Sequence, residues 1–182
     1  IIDEQGNLLG LDEQLAIAVK YILSKNEGAK IISTVESSLS LRNIVEKNGG
    51  TLEITPVGSM KVAAKMRAAK AIFGGEPCGE YIFQNATSSP DGIMTGAFFA
   101  QIFASEGKLS SLCSKLEKYP IHRDKIACLN SNKISAMKKI ESAWPFSAPN
   151  KSDGLRSDEK WGWVLVRPSG TEPYIRIPIE AK

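Results

Sequence analysis

Ten residues near the end of this chain carry groups suited to one another: Arg167-Pro168-Ser169-Gly170-Thr171-Glu172-Pro173-Tyr174-Ile175-Arg176. Ser169 and Thr171 bring hydroxyls, Arg167 and Arg176 bring guanidiniums, and Ser169, Gly170 and Thr171 offer backbone N–H groups. Two prolines and a glycine forbid a regular element, so the span reads as a loop between strand-like runs at 161–166 and 174–179. Backbone donors in a concave turn, hydroxyl donors and an arginine fork together suit a dianionic phosphate. A plain hairpin loop with surface arginines has the same composition, and chemistry alone leaves both readings open. Arg176, on the following strand, either adds charge to the anion or pairs with Glu172 or Glu180.

A second stretch, Gly74-Gly75-Glu76-Pro77-Cys78-Gly79-Glu80 followed by Tyr81-Ile82-Phe83, is the other candidate. Its glycines allow tight turns and close backbone approach. Glu76 offers a carboxylate that can accept from two vicinal hydroxyls, as in a sugar, or is a solvated loop glutamate. Cys78 reads as an inert loop thiol, because no histidine is near it in sequence to activate it. The stretches 34–38 and 55–59 each end a strand before a helix. Ser37 and Ser59 are there either as substrate contacts or as helix caps. His122 has no clear partner and reads as structural or surface.

The elements around these loops follow from periodicity and punctuation. Asp12 is read as the N-cap of a helix whose Leu15, Val19, Ile22 and Leu23 share one face. Strands are expected at 29–35 and 51–55, and helices at 39–47 and at 59–69, the latter capped by Ser59. A strand at 71–73 ends in the glycine loop, a strand at 80–83 leaves it, and Asp91 caps an apolar helix through 104. This alternation predicts an α/β unit, a mixed, mostly parallel sheet with helices on both faces, with ligand loops at the strands' carboxyl ends. A short helix is expected at 109–116, and Lys118-Tyr119-Pro120 reads as a crossing between domains. Beyond it come a strand at 121–129, a helix at 133–142 capped by Asn130, and an irregular connector at 144–152. Residues 154–156 then lead to the strand at 161–166, making a small α+β domain with Trp144, Trp161 and Trp163 in its core. The expected domains are 1–118 and 119–182.

The chain has 182 residues, an apolar fraction of 42% and a net charge of +3. That composition supplies a core and gives no support to nucleic-acid or membrane-surface binding, since no basic run exceeds two residues. No apolar run approaches the roughly 20 residues that span a bilayer. Three cysteines without a C-x-x-C pair argue against a disulfide framework, a single histidine argues against a Cys/His zinc site, and a reducing, cytoplasmic setting is the simplest reading. The start, Ile1-Ile2 entering an Asp-Glu-Gln-Gly-Asn turn without an initiator methionine, reads as the tail of a strand and hence as a fragment.

The RPSGTEP run followed by an Ile-Arg strand resembles the phosphate-binding loop in the C-terminal domain of the α-D-phosphohexomutases, and GGEPCGEYIF resembles their sugar-binding loop. The resemblance covers nearly the whole chain but only the C-terminal half of a family member. It implies phosphate ligands at Arg167, Ser169, Gly170, Thr171 and Arg176, and sugar contacts at Gly75, Glu76, Cys78 and Glu80. Cys78 and Glu80 stand where the family more often has Ser and His, and the form Gly75-Glu76-Pro77-x-Gly79 resembles archaeal-type members. Arg156, in Asp153-Gly154-Leu155-Arg156, resembles a stretch where arginine is structural. The stretches at 34–38 and 55–59 resemble those of phosphoglucosamine mutases more than those of some phosphomannomutases.

For a whole enzyme the resemblance implies interconversion of hexose 1-phosphate and 6-phosphate through a phosphoserine and a bisphosphorylated intermediate. Magnesium would be held on an aspartate loop. Neither the phosphoserine segment nor that loop occurs in these 182 residues, so no catalytic or metal-binding residue is expected here. The expected partners are a hexose phosphate and the missing N-terminal domains, and the chain alone is expected to be inactive. A stand-alone sugar-phosphate-binding module and a partner-binding protein that has lost the site are the other readings.

Overall fold

In the computed structural model, which describes residues 1–182, helices and strands first alternate: α1 (Leu11–Lys25), β1 (Lys30–Thr34), α2 (Leu39–Lys47), β2 (Thr51–Thr55), α3 (Ser59–Ala69), β3 (Phe73–Gly75), β4 (Tyr81–Phe83), α4 (Gly92–Glu106) and α5 (Leu109–Ser114). The later part carries β5 (Ile121–Ala127), a 3-10 turn at Asn130–Asn132, α6 (Lys133–Ser142), β6 (Leu155–Glu159), β7 (Gly162–Pro168) and β8 (Tyr174–Ala181). The chain divides into two units, Ile1–Lys118 and Tyr119–Lys182.

The first unit is the mixed α/β sheet that the alternation implies. Its order is β2-β1-β3-β4, with β1 parallel to both β2 and β3, and β4 antiparallel at one edge. Successive side chains of a strand point to opposite faces, and here both faces are buried. Ile31 of β1, Phe73 of β3, and Tyr81 and Phe83 of β4 join a core with Leu15, Val19 and Ile22 of α1, Leu41 and Val45 of α2, and Phe99 and Ile102 of α4. Their strand neighbours Ile32 and Ile82 pack on the other face against Val62, Ala63 and Met66 of α3.

Three local expectations are corrected here. Asp12 is not the cap of α1. The chain enters extended at Gly10, whose N–H is accepted by Glu13 Oε2 at 2.9 Å, and Asp12 lies inside the first turn, where its charge suits the helix dipole. Ser59 is the first residue of α3 rather than its cap; the cap is Gly58, at φ 128°. Strand β3 does not stop before the glycines but runs through Gly74 and Gly75, which pair with Ile82 and Tyr81. The reason is packing. A Cβ on Gly74 would lie 2.5 Å from both Val62 Cγ1 and Met66 Sδ. Gly74→Ala is therefore expected to destabilise the first unit by about 1–3 kcal/mol, read as a lower urea midpoint in equilibrium denaturation.

The second unit is an antiparallel sheet of order β5-β8-β7-β6 with α6. Strand β7 is its centre of burial, with Trp163 and Leu165 fully inaccessible. Strand β6 has no apolar alternation to announce it. It forms because Glu159 pairs with Gly162 across a two-residue hairpin, while the Arg156 guanidinium lies 4.2 Å from the centre of the Trp163 ring. Asn130 is in the 3-10 turn, not at the cap of α6, which starts after Asn132. Of the expected core tryptophans only Trp163 is buried. Trp161 is 42% exposed at the hairpin and contacts Phe146, and the half-buried Trp144 donates to Ser157 Oγ at 2.9 Å.

Candidate functional site

At the carboxyl edge of β1, β2 and β3, three strand ends are tied together by short-range polar contacts. Ser33 Oγ donates to Gly75 O at 2.7 Å, and Val35 N–H donates to Thr55 O at 3.0 Å. Ser37 Oγ lies 2.6 Å from both Ser33 Oγ and Thr34 O, while Ser38 caps α2 by accepting from Ser40 N–H at 3.0 Å. Ser37 is thus used within the loop, and Ser59 in the helix start. The Thr34 and Tyr81 hydroxyls are buried with no hydrogen-bond partner.

The glycine loop closes over this edge as a tight turn. Gly79, at φ 91°, donates its N–H to Glu76 O at 3.1 Å, and Glu76 N–H donates to Glu80 O at 3.0 Å. Glu76 is not a solvated loop residue: it is 3% exposed, and its Oε2 accepts the Gly58 N–H at 2.9 Å. The carboxylate thereby joins the loop after β3 to the start of α3, where the helix dipole favours negative charge. Glu76→Ala is expected to lower stability by about 1–3 kcal/mol by removing the acceptor of a half-buried N–H, read as a shifted thermal midpoint. Cys78 and Glu80 are exposed at the turn, and Gly75 is a buried strand residue. Desolvation, and then the carboxylates of Glu76 and Glu80, hold the Cys78 thiol above its ordinary range, so it stays protonated and poorly nucleophilic.

The second unit carries the phosphate candidate between β7 and β8. Arg167 pairs with Arg176 across the strands, so both guanidiniums belong to one rim. Arg167 is 8% exposed and its Nη1 lies 3.8 Å from Asp153 Oδ2. Arg176 pairs with Glu172 at 2.5 Å; Glu180, the other candidate partner, is fully buried and accepts from Trp163 Nε1. Ser169 is not a free backbone donor. Its N–H goes to Tyr174 O at 2.9 Å, and its Oγ accepts the Glu172 N–H at 3.1 Å. The exposed Gly170 and Thr171 are the loop residues whose N–H groups have no partner in the chain.

One residue of this loop's support carries no sequence signal. Lys133, the first residue of α6, is 9% exposed, and its Nζ donates to Ser169 O and Glu172 O, each at 2.6 Å. It is 36 positions from Ser169 and stands in an unremarkable Asn-Ser-Asn-Lys run. His122 is exposed on β5. No group of three or more His, Cys, Asp or Glu residues is placed to hold a metal ion, and no helix is long and apolar enough to cross a membrane.

The chain belongs to the phosphoglucomutase/phosphomannomutase family: residues 11–119 match its alpha/beta/alpha domain III and residues 125–182 its C-terminal domain. Among curated relatives, a probable phosphoglucosamine mutase of Methanosphaera stadtmanae is 37% identical over 187 residues, covering 100% of this chain and 40% of the relative. A phosphoglucosamine mutase of Methanococcus maripaludis is 36% identical, with 100% and 41% covered. The chain thus spans about two-fifths of the length of the curated relatives it matches. Among solved structures, a phosphoglucomutase/phosphomannomutase family protein from Burkholderia thailandensis superposes with a TM-score of 0.84 at 28% identity, covering 99% of this chain and 39% of that one. An Aspergillus fumigatus N-acetylphosphoglucosamine mutase, solved with GlcNAc-6P and magnesium, shares the fold at a TM-score of 0.65 and 16% identity, with 100% and 45% covered.

Proposed function

We propose that this chain supplies the sugar-holding and phosphate-holding parts of a phosphohexomutase that interconverts hexose 1-phosphate and 6-phosphate. The observation that carries the reading is the loop between β7 and β8. It combines the Gly170 and Thr171 N–H groups, the Thr171 hydroxyl and two guanidiniums on one rim. Names among the relatives favour an amino-sugar phosphate over mannose phosphate. The exposed Glu80 carboxylate would favour a 2-ammonium group electrostatically.

The proposed division of labour is as follows. Arg167, Ser169, Gly170, Thr171 and Arg176 hold the phosphate that is not reacting, and Glu76, with the Gly75 to Glu80 backbone, holds sugar hydroxyls. Binding energy from the unreactive phosphate orients the reacting end. The same dianion is gripped in the same way in either orientation, so one loop serves both directions of reaction. A phosphoserine nucleophile and magnesium, which would supply charge stabilisation at the transferring group, would belong to preceding domains of a longer enzyme in the reducing cytoplasm. No group of three or more His, Cys, Asp or Glu residues in this chain is placed to hold that ion.

The exposed thiol of Cys78, held above its ordinary range, is a poor substitute for a phosphoserine nucleophile. The purified chain is therefore expected to give no turnover of glucosamine 6-phosphate, mannose 6-phosphate or glucose 6-phosphate in a coupled assay primed with the cognate bisphosphate. Turnover above the no-protein rate, abolished by Arg167→Met, would overturn this assignment.

A further inference from the structure

Lys133 is a buried cation with an unusual set of partners. Its ammonium meets two backbone carbonyls at 2.6 Å and no carboxylate. Buried ammonium groups are costly unless a counter-charge is near. The other cations of this rim already have carboxylates beside them, Asp153 at Arg167 and Glu172 at Arg176.

The two carbonyls are informative. Ser169 C=O and Gly170 N–H belong to one peptide unit, and no peptide bond in the chain is cis. In a trans peptide the C=O and N–H point in opposite directions. Lys133 therefore fixes the plane of this unit with the Gly170 N–H facing away from the ammonium. Donation to the carbonyl also polarises the same peptide, which strengthens its N–H as a donor. The second carbonyl, Glu172 O, belongs to the peptide with Pro173, which has no N–H to offer. Lys133 thus clamps both ends of the tip while leaving its donors free.

We propose that Lys133 is a positioning residue of the phosphate loop. It presets the Ser169–Gly170 peptide for an oxyanion, and its unbalanced charge is neutralised by the bound phosphate dianion. This rests on the reading of the loop as a phosphate site. The cation acts through one peptide unit and does not touch the ligand.

The test separates charge from clamp. Lys133→Gln keeps an NH2 donor and loses the charge, Lys133→Met loses both, and Lys133→Arg keeps the charge. Each chain is titrated with inorganic phosphate at low and high salt, followed at the Gly170 and Thr171 amides by NMR. Affinity is expected to fall on the order of tenfold in Lys133→Gln, and further in Lys133→Met. The salt dependence should be shallower in both, since one cation is gone. Lys133→Arg is expected to stay within about threefold of wild type. If Lys133→Gln matches wild type in affinity and salt slope, Lys133 is only a clamp and the inference falls while the phosphate reading stands. If Lys133→Met does not fold, Lys133→Gln and Lys133→Arg decide the matter alone. If the wild-type chain shows no phosphate response, the loop reading falls and this inference with it.

Discussion

Trp163→Ala is expected to unfold the C-terminal unit. The indole is fully buried on the central strand β7, its Nε1 donates to the inaccessible Glu180 carboxylate at 2.5 Å, and the Arg156 guanidinium stacks 4.2 Å from its centre. Truncation removes three things together: the apolar volume, one donor to a buried carboxylate, and the aromatic face that lets Arg156 stay 6% exposed. Removing a buried Trp costs about 3–5 kcal/mol from the cavity alone, and depriving a buried charge of a donor adds to it. A unit this small has a stability of the same order. All three tryptophans of the chain, Trp144, Trp161 and Trp163, lie in this unit, so the remaining two report it selectively. The expected result is fluorescence of an unfolded chain at 25 °C without denaturant. A cooperative urea transition within 1 kcal/mol of wild type would show that β7 is not the keystone described here.

The second large effect is on binding. Arg167→Met is expected to weaken inorganic phosphate on the order of a hundredfold, with the fold retained. Arg167 is the more buried of the two arginines on the rim, at 8% exposed, and sits 3.8 Å from Asp153. Arg176 is about two-fifths exposed and already engaged with Glu172 at 2.5 Å. Arg176→Met should therefore cost less, on the order of tenfold. Fluorescence-monitored melts check the fold, and phosphate titrations give the ratio. A larger loss at Arg176 than at Arg167 would reverse the ranking of the two guanidiniums.

How far the residues themselves announced this structure varies from place to place. The helix at 39–47, the strand at 51–55 and the Asp91 cap were readable because apolar period and flanking punctuation agreed, and the helix at 59–69 was readable although its cap is Gly58 and not Ser59. Strand β6 was not, because Leu-Arg-Ser-Asp-Glu owes its burial to Arg156 on Trp163 and to Ser157 bonding Ser147 O at 2.7 Å, both tertiary events. The glycines at 74 and 75 look like turn residues in sequence, yet both are strand residues packed close to α3 and to Leu15 of α1. Glu76 looked either solvated or ligand-facing, and its bond to Gly58 N–H, across 18 positions, could not be inferred from its neighbours. The loop between β7 and β8 was legible as a loop, and its candidate donors come from one continuous run. What the run could not reveal is that the Ser169 N–H is spent on Tyr174 O, or that a lysine from α6 holds the tip.

The central claim is that the β7–β8 loop binds phosphate and the β3–β4 loop reads the sugar. It is tested most directly by an NMR titration of this chain with inorganic phosphate, glucosamine 6-phosphate and mannose 6-phosphate. The Gly170 and Thr171 amides are expected to move with all three ligands. The Glu76, Cys78 and Gly79 amides should move only with a sugar phosphate, and more with the amino sugar. An unperturbed spectrum of the folded chain at ligand concentrations that saturate ordinary phosphate sites would contradict the claim. So would shifts confined to residues outside these two loops.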